Sequence, residues 1–363
     1  MGLFDSRCLL RIFNKYTKNL VVVFMMHRFQ DSSIGYLNTS TALASGTLES
    51  YLDYLVKNNY TVLSFKNLIL SAQANQEFYK TVCFTIDDGY IDFKNVAFPL
   101  FKKYKLPATV FITTGLVENK LMMWWDQVEY LFNNTEQSKV EITLNSSTLT
   151  LKVKSQEEKR AAIRLVVQIF KLFSLSQVFS CLQRLSEQLD VVLPDEPPKQ
   201  YSALRWADIR EMKKYNIDFQ PHTVAHPVLS RIGLAEQEWQ IKVSSDTIRE
   251  RLNSNPIAFC YPNGLLGDYT ADTISILKRT NFMGACSSER GFFNSAYTDL
   301  FNIPRFALPK KYYKFVLYVS GCRFWQLAMQ EKIKNVLVTR KTSRQVVDTN
   351  NRIDPQVKQV EQI

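Results

Sequence analysis

Histidine is scarce in this chain, with only three in 363 residues, so any histidine-based chemistry has few places to be. Glycine is also low at 11, which excludes a glycine-rich repeat array or a low-complexity chain. No apolar run approaches the roughly 18–20 residues that span a bilayer. The N-terminal run Leu20 to Met26 is short for a signal peptide, and no small-residue cleavage pattern follows it. Zinc-finger spacing and a long basic arm are both absent, so nucleic acid is not an expected partner. The six cysteines (Cys8, Cys83, Cys181, Cys260, Cys286 and Cys322) are scattered, and Cys83 and Cys260 lie inside apolar runs. That pattern reads as buried free thiols in a reducing compartment rather than a disulfide framework. With no export or spanning segment in view, the expected location is the cytoplasm, with peripheral membrane contact left open.

What is present supports a sizeable core: 46% of residues are hydrophobic and 13% aromatic. The length suits one large domain or two ordinary ones. A net charge of +11 favours an anionic partner, such as a membrane surface or an acidic glycan. Met1-Gly2-Leu3-Phe4-Asp5-Ser6 fits the loose myristoylation pattern, which is too short to carry an argument.

A strand–helix rhythm runs through the chain, the mark of a parallel α/β architecture. Strands are expected at 20–26, 60–65, 81–86, 108–113, 217–220, 257–261, 282–286 and 302–307. Helices are expected at 46–57, 93–104, 206–214, 235–253 and 270–279. The rhythm breaks from about 117 to 200. There Trp124-Trp125-Asp126 opens a helix, two alternating runs flank Asn145-Ser146-Ser147 as a hairpin, and 156–190 reads as helical. This stretch is expected to be an insertion in a main domain spanning 19–310, after a basic lead-in at 1–18. Trp125 and its neighbour suit either a core or a platform for sugar rings. Residues 311–340 read as an amphipathic helical segment, basic and aromatic, that either packs on the main domain or rests on a membrane. The tail from 341 is polar and reads as disordered.

Two of the three histidines, His222 and His226, are four apart, a spacing that lets both imidazoles face one metal. The polar residues that stand out all follow strands. His27 ends the first. Asp87-Asp88-Gly89 ends the buried run Thr81 to Ile86, where a turn explains one aspartate but not two. His222 and His226 follow the strand at 217–220, and Tyr261-Pro262-Asn263-Gly264 follows the next. In parallel barrels those strand ends converge on one face, where catalytic groups gather.

Three stretches carry a family resemblance: Phe84-Thr85-Ile86-Asp87-Asp88-Gly89-Tyr90, His222-Thr223-Val224-Ala225-His226-Pro227 and Phe259-Cys260-Tyr261-Pro262-Asn263-Gly264. Their order and separation resemble the polysaccharide deacetylases with a NodB-type domain (carbohydrate esterase family 4), over about residues 20–310. Met26-His27-Arg28 is similar to the first-strand histidine of the poly-β-1,6-N-acetylglucosamine deacetylase branch.

The resemblance implies a distorted (β/α)7-type barrel. It implies that Asp88, His222 and His226 bind one divalent metal, zinc or in its place cobalt, nickel or manganese. Asp87 would be the general base, His27 the acid toward the leaving amine, and the Asn263 backbone N–H an oxyanion donor, with Pro262, Tyr261 and Trp125 about the substrate. The implied reaction is removal of the acetyl group from an acetamido sugar, in a polysaccharide or a lipid-linked precursor.

Three departures qualify this. Cys260 stands where many members carry an arginine that holds the base, and Arg305 either takes that place or makes a structural salt bridge. Asn263 stands where an aromatic is usual. No late histidine exists, so if His27 is not the acid, the chain has none of this type. An O-acetyl ester, a non-sugar amide, or a silent glycan-binding role remain as alternatives on the same residues.

Overall fold

The structure, a computed structural model, describes residues 17–31, 42–118, 122–144, 147–327 and 329. Most of the basic lead-in, the myristoylation pattern, the turn residues Asn145 and Ser146, and the segment from 330 onward lie outside those residues.

The chain opens with β1 (Leu20–Met26), an apolar run buried at six of its seven positions. After His27, β2 (Arg28–Gln30) and β3 (Ala42–Ala44) pair in parallel. Helix α1 (Ser45–Lys57), β4 (Thr61–Leu63) and α2 (Phe65–Gln73) follow. β4 ends at Leu63, short of the strand expected over 60–65, and α2 begins at Phe65 where no helix is expected. The Ser64 hydroxyl accepts from the Asn67 N–H at 3.2 Å and starts that helix. Then come β5 (Thr81–Ile86), buried at all six positions, a π-helical turn (Phe93–Ala97), α3 (Phe98–Tyr104) and β6 (Ala108–Ile112).

After the short α4 (Thr114–Val117), the excursion contains α5 (Trp124–Asn134), β7 (Lys139–Leu144), β8 (Ser147–Lys152), α6 (Gln156–Phe170) and α7 (Leu175–Leu189). The stretch read as one helical region is two helices, each begun by a capping box, Ser155 with Glu158 and Ser174 with Gln177. These elements enclose a core of their own, built on Trp124, Phe132, Val140, Phe170, Leu182 and Leu189. The chain returns through α8 (Trp206–Lys213), β9 (Ile217–Pro221), α9 (Leu234–Leu252), β10 (Ala258–Cys260), α10 (Ala271–Arg279), β11 (Gly284–Cys286), β12 (Phe293–Asn294), β13 (Phe306–Ala307) and α11 (Tyr312–Val319).

Seven parallel strands close a distorted barrel. β1, β5, β6 and β9 are hydrogen-bonded in that order, β10 pairs β11, Cys286 bridges to Ile303, and β13 returns to β1. No strand pairing joins β9 to β10. A side chain closes that gap. Gln220 Oε1 accepts from the backbone N–H groups of Ile257 (3.1 Å) and Ala258 (3.0 Å), which an open edge would leave unpaired.

Helix α11 packs on α1, with the Phe315 ring stacked on Tyr51 at 4.1 Å. Tyr312 and Tyr313 on the same helix stay exposed. Among the described residues, no helix is long and apolar enough to cross a membrane.

Candidate active site

The C-terminal ends of the barrel strands bring all three histidines and both adjacent aspartates together. Asp87 leaves β5 buried and is gripped by Arg305, which comes from just before β13. Arg305 Nη1 donates to Asp87 Oδ1 at 2.8 Å and Nη2 to Oδ2 at 2.9 Å. The same guanidinium donates to the Ser287 carbonyl (2.8 Å), the Thr85 hydroxyl (3.0 Å) and the Cys260 sulfur (3.2 Å), so a fully buried charge has every direction satisfied. Burial pushes the Asp87 carboxyl upward, but Arg305 outweighs it and holds the group well below the usual carboxylate range. Of the two readings of Arg305, the geometry is that of an arginine on the first aspartate, a place the sequence could not assign.

Asp88 is the next residue and its surroundings are opposite. Its backbone is left-handed (φ 76°), as is Gly89 (φ 97°), which turns the carboxylate toward the histidine pair. Asp88 Oδ1 lies 3.8 Å from His222 Nε2 and 3.7 Å from His226 Nε2, and it is buried with no hydrogen-bond partner among the described residues. Burial, with Asp87 and Asp126 nearby, pushes its pKa well above the usual range.

The histidine loop is held from behind. His222 Nδ1 lies 2.7 Å from the Cys260 carbonyl oxygen. A carbonyl only accepts, so the proton is on Nδ1 and the Nε2 lone pair faces Asp88. This contact crosses the same β9–β10 gap that Gln220 closes. Gly115 N–H donates to the Val224 carbonyl at 2.9 Å, and a Cβ on Gly115 would sit 2.5 Å from that oxygen, so only glycine lets α4 brace the loop. Gln240 Oε1 accepts from the N–H groups of Val224 and Ala225, both at 3.0 Å. Burial lowers the His222 pKa to about 4, and burial with His222 nearby lowers that of His226 well below its ordinary value.

One ligating atom from each of Asp88, His222 and His226 lies within 4.8 Å of the others. Two neutral imidazoles and an unsatisfied buried carboxylate fit a divalent cation, which would supply the partner that Asp88 lacks.

His27 approaches from the other aspartate. Its Nε2 is 3.7 Å from Asp87 Oδ2, and its side chain is 33% exposed, the one histidine open to solvent. Burial of the ring lowers its pKa against the raising pull of Asp87. Trp125 is half-buried, with its ring edge-on to His226 at 4.7 Å. Trp124 turns away into the insertion core. Asn263 has a left-handed backbone (φ 57°) and a buried Nδ2 without a partner among the described residues, and the Pro262 carbonyl accepts from the Gly264 N–H at 2.7 Å.

Tyr261 is a correction. Its hydroxyl donates to the Phe301 carbonyl at 2.9 Å and its ring stacks on Tyr269 at 3.8 Å, so its side chain is taken up in packing and not brought to the substrate.

Sequence reasoning missed a second buried network. The Tyr90 hydroxyl donates to Asp126 at 2.5 Å and accepts from Trp125 Nε1 at 3.0 Å. The Arg28 guanidinium lies 3.9 Å over the Tyr90 ring and donates to Asp92 at 2.5 Å and to the Gln200 carbonyl. Burial raises the Asp126 pKa to about 7 despite the Tyr90 hydrogen bond. Each of Arg28, Tyr90 and Asp126 sits within two residues of a named site residue, the one signal that could have found them.

Comparison with known proteins agrees with this geometry. The polysaccharide deacetylase family pattern matches residues 75–285, more than half of the chain. No curated protein matches by sequence. The Streptococcus pyogenes deacetylase PplD, solved with acetate, is 20% identical, with a TM-score of 0.53 over 80% of this chain and 93% of that one. IcaB from Ammonifex degensii is 16% identical, with a TM-score of 0.54 over 83% of this chain and 97% of that one. At these identities the two structures speak for the shared barrel. The matched span takes in the aspartate pair and the histidine pair, and on it the chain belongs to the polysaccharide deacetylase family, as a hydrolase that deacetylates carbohydrate.

Proposed function

We propose that the chain removes the acetyl group from an acetamido sugar, with Asp87 as base and His27 as acid. The observation that carries this reading is the division of the three histidines: His222 and His226 on Asp88, His27 on Asp87. Asp88, His222 and His226 would hold one divalent cation, zinc or a similar ion. Such an ion, when bound, acts as a Lewis acid on the acetyl carbonyl and acidifies the attacking water.

The chain's own residues do the rest. Asp87 is kept ionised by Arg305, so its carboxylate takes a proton from the water that adds to the acetyl carbon. That proton is not favoured on Asp87, because Arg305 occupies both oxygens. His27, 3.7 Å away, receives it and delivers it to the sugar nitrogen as the C–N bond breaks, giving acetate and a free amine. The backbone N–H of Asn263 donates to the tetrahedral oxyanion. Trp125 forms an apolar wall beside His226.

Acetate release from a panel of acetylated glycans and lipid-linked sugars, with and without chelator, tests the reading. Chelator-sensitive release is the expected result, and no release from any member defeats it.

A further inference from the structure

Two consecutive leucines stand in solvent beside the site. Leu265 and Leu266 follow Asn263-Gly264 and are 54% and 85% exposed. Their backbone is held firmly. The Leu265 N–H donates to the Asp268 carboxylate at 2.9 Å and the Leu266 N–H to the Glu289 carboxylate at 2.6 Å. The Asp268 carbonyl in turn accepts from the Ser230 N–H at 2.9 Å, which ties this loop to the turn after the histidine pair. Two carboxylates point inward at amides while two aliphatic side chains point out.

Arg231 follows Ser230, whose N–H is bonded to the Asp268 carbonyl, and Arg290 follows Glu289, whose carboxylate holds the Leu266 N–H, so the loop's own hydrogen bonds set both arginines beside the two leucines. Arg231 and Arg290 are both exposed.

Aliphatic side chains held out by a fixed backbone mark a docking surface more than a loose loop. A polysaccharide suits them poorly, because sugar hydroxyls pressed on leucine lose water and gain no hydrogen bond. A bilayer suits them well: leucines enter the boundary between headgroups and acyl chains while lysine and arginine meet anionic headgroups. The chain's charge of +11 draws it the same way at longer range.

We infer that Leu265 and Leu266, with Arg231 and Arg290, dock the mouth of the site on an anionic lipid bilayer, so that the acetamido sugar it takes is one carried on a membrane lipid. The docking half stands alone; the sugar half rests on the deacetylase reading above.

The test is co-sedimentation of the full chain with phosphatidylglycerol–phosphatidylcholine vesicles and with phosphatidylcholine alone. Binding to the anionic vesicles is expected. Leu265→Ser/Leu266→Ser should weaken it roughly tenfold or more, and Arg231→Gln/Arg290→Gln roughly fivefold. The leucine variant should keep wild-type acetate release from a soluble acetylated oligosaccharide. Absent wild-type binding, or binding that all these variants retain, overturns the inference. So does a leucine variant that turns a dimer into a monomer in sedimentation velocity, since a second copy would then cover the patch. Vesicle binding without acetate release from any substrate defeats the deacetylase reading alone, and acetate release without vesicle binding defeats docking alone.

Discussion

Asp87 and Asp88 are adjacent, both are almost fully buried, and the protein treats them oppositely. Asp87 has a guanidinium on both oxygens, and that guanidinium is itself satisfied by Thr85, Ser287 and Cys260. Asp88 offers an oxygen with no partner among the described residues, toward two imidazoles kept neutral by burial. Buried polar groups without partners cost free energy, and this one lies within 4 Å of two imidazole nitrogens that could share a cation with it. The contrast divides the labour: one aspartate is complete without a metal and the other is not.

The largest expected effect breaks the incomplete side. Asp88→Asn should abolish metal retention, read by elemental analysis, and lower acetate release on the order of 10³-fold. The chelated variant should melt no lower than chelated wild type, because it replaces a buried carboxyl that, without metal, is already left without a hydrogen-bond partner on Oδ1. Breaking the complete side should do the reverse. Arg305→Leu leaves Asp87 buried and unpaired, and should cost about 3–5 kcal/mol in denaturant unfolding. If the two variants destabilise the metal-free protein equally, the contrast is wrong.

His27→Ala should leave metal content unchanged and slow acetamide cleavage by roughly 10²-fold or more. It should slow an acetyl ester much less, because an alkoxide leaves with less help from an acid. Similar losses on both substrates would remove His27 from the proton path. Tyr90→Phe frees Trp125 and Asp126, and should weaken metal binding roughly tenfold by loosening the wall against His226; a metal titration reads it directly.

The smallest effect concerns Asp126, whose folded pKa of about 7 stands above its usual 3.8. Native protein keeps this proton where unfolded chain has lost it. The contribution to stability is therefore full below about pH 4 and is lost as pH rises toward 7. Asp126→Asn should show a smaller fall in Tm than wild type across that window. An identical fall would mean that Asp126 is not the group titrating.

Much of the barrel was legible because its strands are short apolar runs with a turn or polar residue at the C-terminal end. β1, β5, β6 and β9 appear where that pattern puts them. Helix α2 was not legible: Phe65 continues the apolar run of β4, and only the Ser64 cap, an atom-level contact, separates strand from helix. Tyr261 misled for a related reason. It sits inside a site motif, but side chains alternate along a strand, and its ring faces the helices. The insertion was recognisable as a break in rhythm. That its first helix sends one tryptophan to its own core and the next to His226 depends on how that core packs against the barrel.

By itself, the sequence determined the alternation of strands and helices and which polar residues end the strands, since both follow from local pattern and the steric limits of the backbone. It also determined that only three imidazoles could serve. Tertiary structure alone decided which aspartate Arg305 would hold, because 218 residues separate that pair and only barrel closure brings them to 2.8 Å. It decided, too, that the β9–β10 gap would be closed by Gln220 and His222 side chains. No local pattern encodes a hydrogen bond across a gap that exists only once the barrel has formed.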